Sequence, residues 1–182
     1  MKRYILTGAP GAGKTVLIRL LEARGQIVVE EAATDVIALA SARGEHEHWK
    51  NPAFIDNILA LQMLRLERAT LGVVQFHDRS PICTYALCQF LGFQIPPVLD
   101  LAMARIERER VYERQVFFID NLGFVTPTEA RRISFEDTLK FEAVHEQVYR
   151  DFGYELVRIG RGTVDERAGV IERFAAMRPT RD

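Results

Sequence analysis

Gly8-Ala9-Pro10-Gly11-Ala12-Gly13-Lys14-Thr15 fits the spacing G-x-x-x-x-G-K-[ST] without a mismatch. Each residue type there has a chemical use. The glycines let successive backbone N–H groups turn inward as a nest for anionic oxygen, and a helix starting at the loop's end adds the positive end of its dipole. Lys14 can reach the β- and γ-phosphates of a nucleotide as a mobile point charge, and the Thr15 hydroxyl can ligate Mg²⁺. The run Tyr4-Ile5-Leu6 precedes the loop, and Val16, Leu17, Leu20 and Leu21 follow at helical spacing. That strand–loop–helix setting separates a phosphate cradle from an ordinary glycine-rich turn. The expected nucleotide contacts are therefore Gly8, Ala9, Pro10, Gly11, Ala12, Gly13, Lys14, Thr15 and Val16.

Further reactive side chains stand at the ends of other apolar runs. Glu30 and Glu31 follow Gln26-Ile27-Val28-Val29. Either could take a proton from an attacking hydroxyl, or both could simply decorate a helix N-terminus, which favours acids. Asp78, Arg79 and Ser80 follow residues 73–77. An aspartate closing a buried strand suits the Mg²⁺ shell, and the Arg79 guanidinium suits phosphate or carboxylate on the acceptor side. Asp120 closes a fourth run and competes for the metal role; Asp78 is the first choice, with Asp120 read as substrate-side or structural. No guanine-reading N-K-x-D follows Asp120, so the D-x-x-G of Asp120 to Gly123 does not make a GTPase.

The segment of about 121–134 is polar and carries the adjacent Arg131 and Arg132. It could fold over the phosphates as a short lid and supply cationic charge, or lie solvated. Arg161, in Gly160-Arg161-Gly162, could line the adenine side. Gln62, one helical turn from the apolar Ile58 and Leu66, could read a nucleobase edge or face solvent.

These residues need a scaffold that brings strand ends together. Five β-like runs, residues 3–7, 26–29, 73–77, 115–119 and 154–159, alternate with helical stretches. Most are continuously apolar, as expected of strands buried on both faces of a parallel sheet. Asn51-Pro52 and Ser80-Pro81 each pair an N-cap residue with proline at the first helical position. Ser134-x-x-Asp137 and Thr163-x-x-Glu166 read as capping boxes or near relatives. The alternation predicts right-handed βαβ units in an α/β three-layer sandwich, a five-stranded parallel sheet flanked by helices. Ligands in such folds bind beyond the carboxyl ends of the strands, where the reactive residues cluster.

Composition narrows the function. At 182 residues the chain suits one domain, 1–182. A net charge of −1 gives no basic field for nucleic acid or anionic lipid. No apolar run is long enough to span a membrane, and the short stretch after Lys2 and Arg3 is not a signal peptide. Cys83 and Cys88 lie roughly 140° apart round a helix, which suits neither a disulfide nor a metal clamp, and points to a reducing cytoplasm. His46 and His48 lack partners at ligand spacing and read as a polar loop. The alternating charges from Arg105 to Arg114 read as a solvated helix face.

With these motifs in place, the chain resembles the single-domain P-loop ATPases related to nicotinamide riboside kinase domains and, more distantly, nucleoside and nucleoside monophosphate kinases. The resemblance rests on the glycine-rich loop, on Val28-Val29-Glu30-Glu31-Ala32-Ala33, on Asp78-Arg79-Ser80, and on Arg131 to Glu142 continuing through Val148 to Ile159. It implies the P-loop NTPase fold and Mg-ATP. It places the catalytic base on Glu31, with Glu30 standing where nucleoside kinases carry proline. It also matches their acceptor-side arginine to Arg79 and their base-reading glutamine to Gln62. The lid here is shorter, and its arginines are adjacent rather than separated.

The expectation is a phosphotransferase. Lys14 and the loop hold ATP, Thr15 and Asp78 hold Mg²⁺, Glu31 accepts the proton, and Arg79 with Arg131 or Arg132 grips the acceptor or the transferring group. The competing expectation is an ATP-dependent switch that hydrolyses slowly and has no small acceptor. An AAA+ or ABC motor is disfavoured, since the chain leaves no room for a helical lid domain and carries no Leu-Ser-Gly-Gly-Gln.

Overall fold

The computed structural model describes residues 1–8, 11–120 and 135–177. Among these residues five strands, β1 (Lys2–Thr7), β2 (Ile27–Val29), β3 (Val74–Asp78), β4 (Gln115–Ile119) and β5 (Glu155–Ile159), form one sheet in the order β2-β3-β1-β4-β5. Every pairing is parallel. The strands coincide with the five runs read from the sequence to within a residue at each end, because parallel strands must be apolar on both faces.

Among the described residues, seven α-helices surround the sheet: α1 (Lys14–Ala23), α2 (Ala33–Ala42), α3 (Ala53–Arg68), α4 (Pro81–Phe90), α5 (Pro97–Glu109), α6 (Phe135–Asp151) and α7 (Val164–Met177). Alternation along the strands sorts them into layers. Tyr4, Leu6, Phe117 and Ile119 face one way and pack with Leu17, Leu21, Ala168 and Ile171 of α1 and α7. Ile5 and Val116 face the other way, toward Ile55, Ile82, Met103 and Tyr149 of α3, α4, α5 and α6. The result is the expected three-layer sandwich.

Local signals set the helix starts. Thr163 and Glu166 form a reciprocal capping box: Thr163 N donates to the Glu166 carboxylate at 2.8 Å and Glu166 N to Thr163 Oγ1 at 3.2 Å. Pro81 opens α4 as expected, but Ser80 Oγ meets Tyr149 Oη at 3.1 Å instead of capping the helix. Helix α3 opens at Ala53, one residue after Pro52; a 3₁₀ turn over His48–Lys50 precedes it, and Asn51 Oδ1 accepts from Ala53 N at 3.0 Å. Ser134 lies outside the described residues.

Candidate functional site

The central strands end together. Leu6 of β1 is in register with Asp78 of β3 and with Phe117 of β4. The glycine-rich loop therefore emerges beside Asp78, and Arg79 N extends the ladder by donating to Leu6 O at 3.0 Å. Gly8, Gly11 and Gly13 all have positive φ. At Gly8, with φ of 130°, a Cβ would sit 2.4 Å from the Ile119 carbonyl oxygen, so only glycine lets the loop leave β1 against β4. Gly13 caps α1 in the left-handed conformation.

A cavity of about 600 Å³ opens at these strand ends. Its walls bring together Gly11, Gly13, Lys14, Thr15 and Val16 of the loop and α1, with Glu31, Gln62, Asp78 and Arg79. Ala12 of the loop is buried, and the Gly8 carbonyl accepts from Lys14 Nζ at 2.8 Å. Ala9, Pro10, Arg131, Arg132 and the 121–134 segment lie outside the described residues. Two further residues lie off the cavity wall. Arg161 is solvent-exposed and away from the cavity wall, because the Gly160–Gly162 turn faces outward. Asp120 is tied to Arg158 Nη1 at 2.9 Å, beside Glu142 and Glu146, which is a structural setting.

Electrostatics distinguish the acids. Asp78 is 6% exposed, and its Oδ1 is buried with no hydrogen-bond partner among the described residues. Burial, then the charge of Glu31, pushes its carboxyl up to about 6. A buried carboxylate oxygen left open beside Thr15 and Lys14 fits a divalent cation, which would satisfy it. Lys14 is pulled down to about 7 by burial and by Arg79. Glu31 behaves oppositely. Its Oε1 lies 2.6 Å from Arg79 Nε and its Oε2 accepts from Thr34 Oγ1 at 2.7 Å. Burial opposes ionisation, but Arg79, Thr34 and Lys14 outweigh it and hold Glu31 below the usual carboxylate range. Glu30, beside it, is exposed.

Several supporting residues were not visible in the sequence. Arg79 adopts φ of 69°, uncommon for a residue other than glycine, and turns back under the site. Its Nη1 lies 3.4 Å from His145 Nε2. The His145 Nδ1 donates to the Phe141 carbonyl at 3.0 Å, so Nδ1 carries the proton and Nε2 is the lone pair that Arg79 meets. Burial and the Arg79 charge hold His145 neutral, near 3. Arg65 of α3 donates to the carbonyls of Glu30 and Glu31 and pairs with Asp35, fixing the turn that presents Glu31. Thr84 Oγ1 donates to Gln62 Oε1 at 2.8 Å, which turns that amide toward α4. His48, read as a polar-loop residue, is half-buried at the cavity rim, edge-on to Trp49 and Phe54.

No curated protein matches the chain in sequence. Solved structures do match in fold. Deoxyadenosine kinase from M. mycoides with bound dATP aligns at a TM-score of 0.59 and 13% identity, covering 96% of this chain and 99% of that one. The NadR protein in complex with NR aligns at 0.70 and 15% identity, covering 99% of this chain and 53% of that one. The NadR protein in complex with NAD and AMP-PNP aligns at 0.66 and 14%, covering 99% and 51%. The chain thus spans about half the length of NadR. These likenesses establish the P-loop kinase fold. The family model described as an AAA domain matches residues 3–167, and the chain belongs to that family.

Proposed function

We propose that this protein is a small-molecule kinase that transfers the γ-phosphoryl group of ATP to a nucleoside, nucleotide or similar hydroxyl acceptor. The observation that carries the reading is the pair of unlike carboxylates on one cavity wall: Asp78 with an open buried oxygen, and Glu31 ionised and aimed by Arg79 and Thr34. A hydrolase needs only the first. A transferase also needs a group that receives the acceptor's proton.

The loop amides and Lys14 bind the triphosphate. Thr15 and Asp78 would hold Mg²⁺, which when bound supplies charge neutralisation on the phosphates. Glu31 takes the acceptor proton at its carboxylate, Arg79 keeps that carboxylate oriented, and Gln62 meets the acceptor's ring. Arg131 and Arg132 are assigned in this reading to add positive charge at the transferring group. Little covalent chemistry is asked of the side chains; positioning and electrostatic stabilisation set the rate. A deoxyadenosine kinase and the NR- and AMP-PNP-bound NadR share the fold, which supports this choice among P-loop chemistries.

Residues 1–182 act in this reading as a single P-loop domain. The family's AAA name fits its ATP-binding core. The motor alternative finds no support: among the described residues every helix belongs to the layers around the sheet or packs on a helix that does. No described helix is long and apolar enough to cross a membrane. Both cysteines are free and buried, which suits a reducing cytoplasm. The near-neutral net charge argues against a nucleic-acid partner.

Incubation with γ-labelled ATP, Mg²⁺ and a panel of nucleosides and nucleotides tests the proposal. A labelled acceptor is the expected result. Phosphate release alone, accelerated by a protein partner, would instead establish the switch.

A further inference from the structure

Arg79 is the one guanidinium among the described residues lining the cavity, and it is already engaged on two sides. Glu31 takes its Nε at 2.6 Å and balances its charge, while His145 takes its Nη1 at 3.4 Å. Its side chain is 12% exposed, against 23% for Glu31, so the carboxylate is the more accessible of the two. The other described charges on the wall are Lys14 and Asp78, assigned above to the phosphates and metal, and Asp137, which Lys140 approaches at 3.6 Å. Away from the loop the wall is largely apolar and aromatic, with Trp49, Phe54, Phe90 and Phe141; its neutral polar side chains are Gln62 and Thr84, His48 at the rim, and Thr34, which is bonded to Glu31.

We propose that Glu31 and His145 together take Arg79 out of use as a phosphate receptor, so that the cavity selects an uncharged hydroxyl compound with a flat ring and rejects its phosphorylated form. The inference rests on the kinase reading and chooses between the acceptor classes that reading leaves open. A phosphate dianion placed against Arg79 would come close to the Glu31 carboxylate, which sits 2.6 Å from that guanidinium, and the like charges repel in a partly buried site. Moving Arg79 to meet it would strand Glu31 and break the contact with His145. His145 matters because it is neutral and buried: it accepts from the guanidinium without adding charge, and so holds it on the Glu31 side. An uncharged hydroxyl meets no such penalty and gains a proton acceptor. The aromatic walls suit a flat ring, which Gln62 can meet with its amide N–H groups while Thr84 occupies its oxygen.

The test is equilibrium binding, which does not depend on turnover. Titration calorimetry of the intact protein with Mg²⁺ and a non-hydrolysable ATP analogue would compare unmodified ribo- and deoxyribonucleosides with their 5′-monophosphates. The best nucleoside should bind at least about 30-fold tighter than its monophosphate, the scale of one like-charge contact. Glu31→Gln should narrow that gap about tenfold or more by strengthening monophosphate binding, with nucleoside binding retained. His145→Leu should raise monophosphate affinity in the same direction, and His145→Gln, which keeps an acceptor, should do so less. Monophosphates binding as tightly as nucleosides, or neither class binding, would overturn the selection. A nucleoside that binds but receives no phosphoryl group would leave the selection standing and overturn the kinase reading instead.

Discussion

Glu31 and Arg79 lie 2.6 Å apart at the ends of two adjacent strands, β2 and β3, and each sets the other's chemistry. The arginine keeps the carboxylate ionised, and the carboxylate holds the arginine's charge inside the cavity. Glu31→Gln should leave ATP binding near its original value and lower phosphoryl transfer by about 10²- to 10⁴-fold, the usual worth of a positioned general base. Because it leaves a mostly buried guanidinium unbalanced, folding stability should also fall by roughly 1–3 kcal/mol, less than for a fully buried pair. Nucleotide titration, single-turnover transfer and urea unfolding separate these effects; unimpaired transfer would remove Glu31 from the role.

Nucleotide binding should depend on pH in a way that an ordinary lysine would not produce. Lys14 titrates near 7, so above that pH the protein holds it neutral and must take up a proton to grip phosphate. Affinity should fall about tenfold per pH unit above neutrality. Asp78 titrates near 6, so Mg²⁺ must displace a proton below that pH and binding weakens on the acid side as well. The optimum lies between the two. Calorimetry at pH 8 in buffers of different ionisation enthalpy should show net proton uptake, and Asp78→Asn should abolish the acid limb.

The same shift fixes the sign for stability. Lys14 is depressed in the folded protein and ordinary when unfolded, so the unfolded chain binds more protons between about 7 and 10.5. Its contribution to stability therefore improves as pH rises through that window. Lys14→Met should flatten this part of the stability–pH curve while abolishing tight ATP binding.

Gly8→Ala should be severe although it adds one methyl group. The added carbon would overlap the Ile119 carbonyl at 2.4 Å on a backbone of φ 130°, so β1 and β4 must part or the loop must move. A loss of about 2–4 kcal/mol is expected, with a lower thermal midpoint and weakened nucleotide binding. Gly25→Ala, at φ of 83° with open space around it, is the control: it carries strain without collision and should cost about 1 kcal/mol.

Gln62→Leu should spare ATP binding and raise the acceptor KM by about tenfold or more, the worth of one or two hydrogen bonds. Thr84→Val should have a smaller effect in the same direction, since it frees the amide from the Thr84 hydroxyl without removing it. Steady-state kinetics with the acceptor found above would measure both; an unchanged KM in Gln62→Leu would place Gln62 outside the acceptor site.

What could be read from the chain follows from how local each signal is. Gln115 to Ile119 is buried throughout, and burial on both faces writes a strand directly into the four apolar residues Val116 to Ile119. The loop from Gly8 to Thr15 was legible because phosphate binding is done by backbone geometry that glycine spacing encodes. His145 left no such mark. It sits in the middle of α6, 66 residues from Arg79, and only the packing of α6 on α4 brings it there. Arg65 is likewise one of two arginines at the end of α3, and its use becomes visible only when α3 crosses the turn after β2. Arg161 shows the converse: a Gly-x-Gly turn after a strand has the right address, yet the residue is exposed and outside the cavity wall.

Arg167 of α7 donates from Nη2 to the Ala12 carbonyl at 3.0 Å, joining residues 155 positions apart in the chain. The anion cradle is thus braced from behind by a helix that contributes nothing to its recognisable pattern. A polypeptide halted before Val164 would display every nucleotide-binding signature and still lack the strut that keeps them in place, so a fragment chosen by motif alone would make a poor stand-in for the whole.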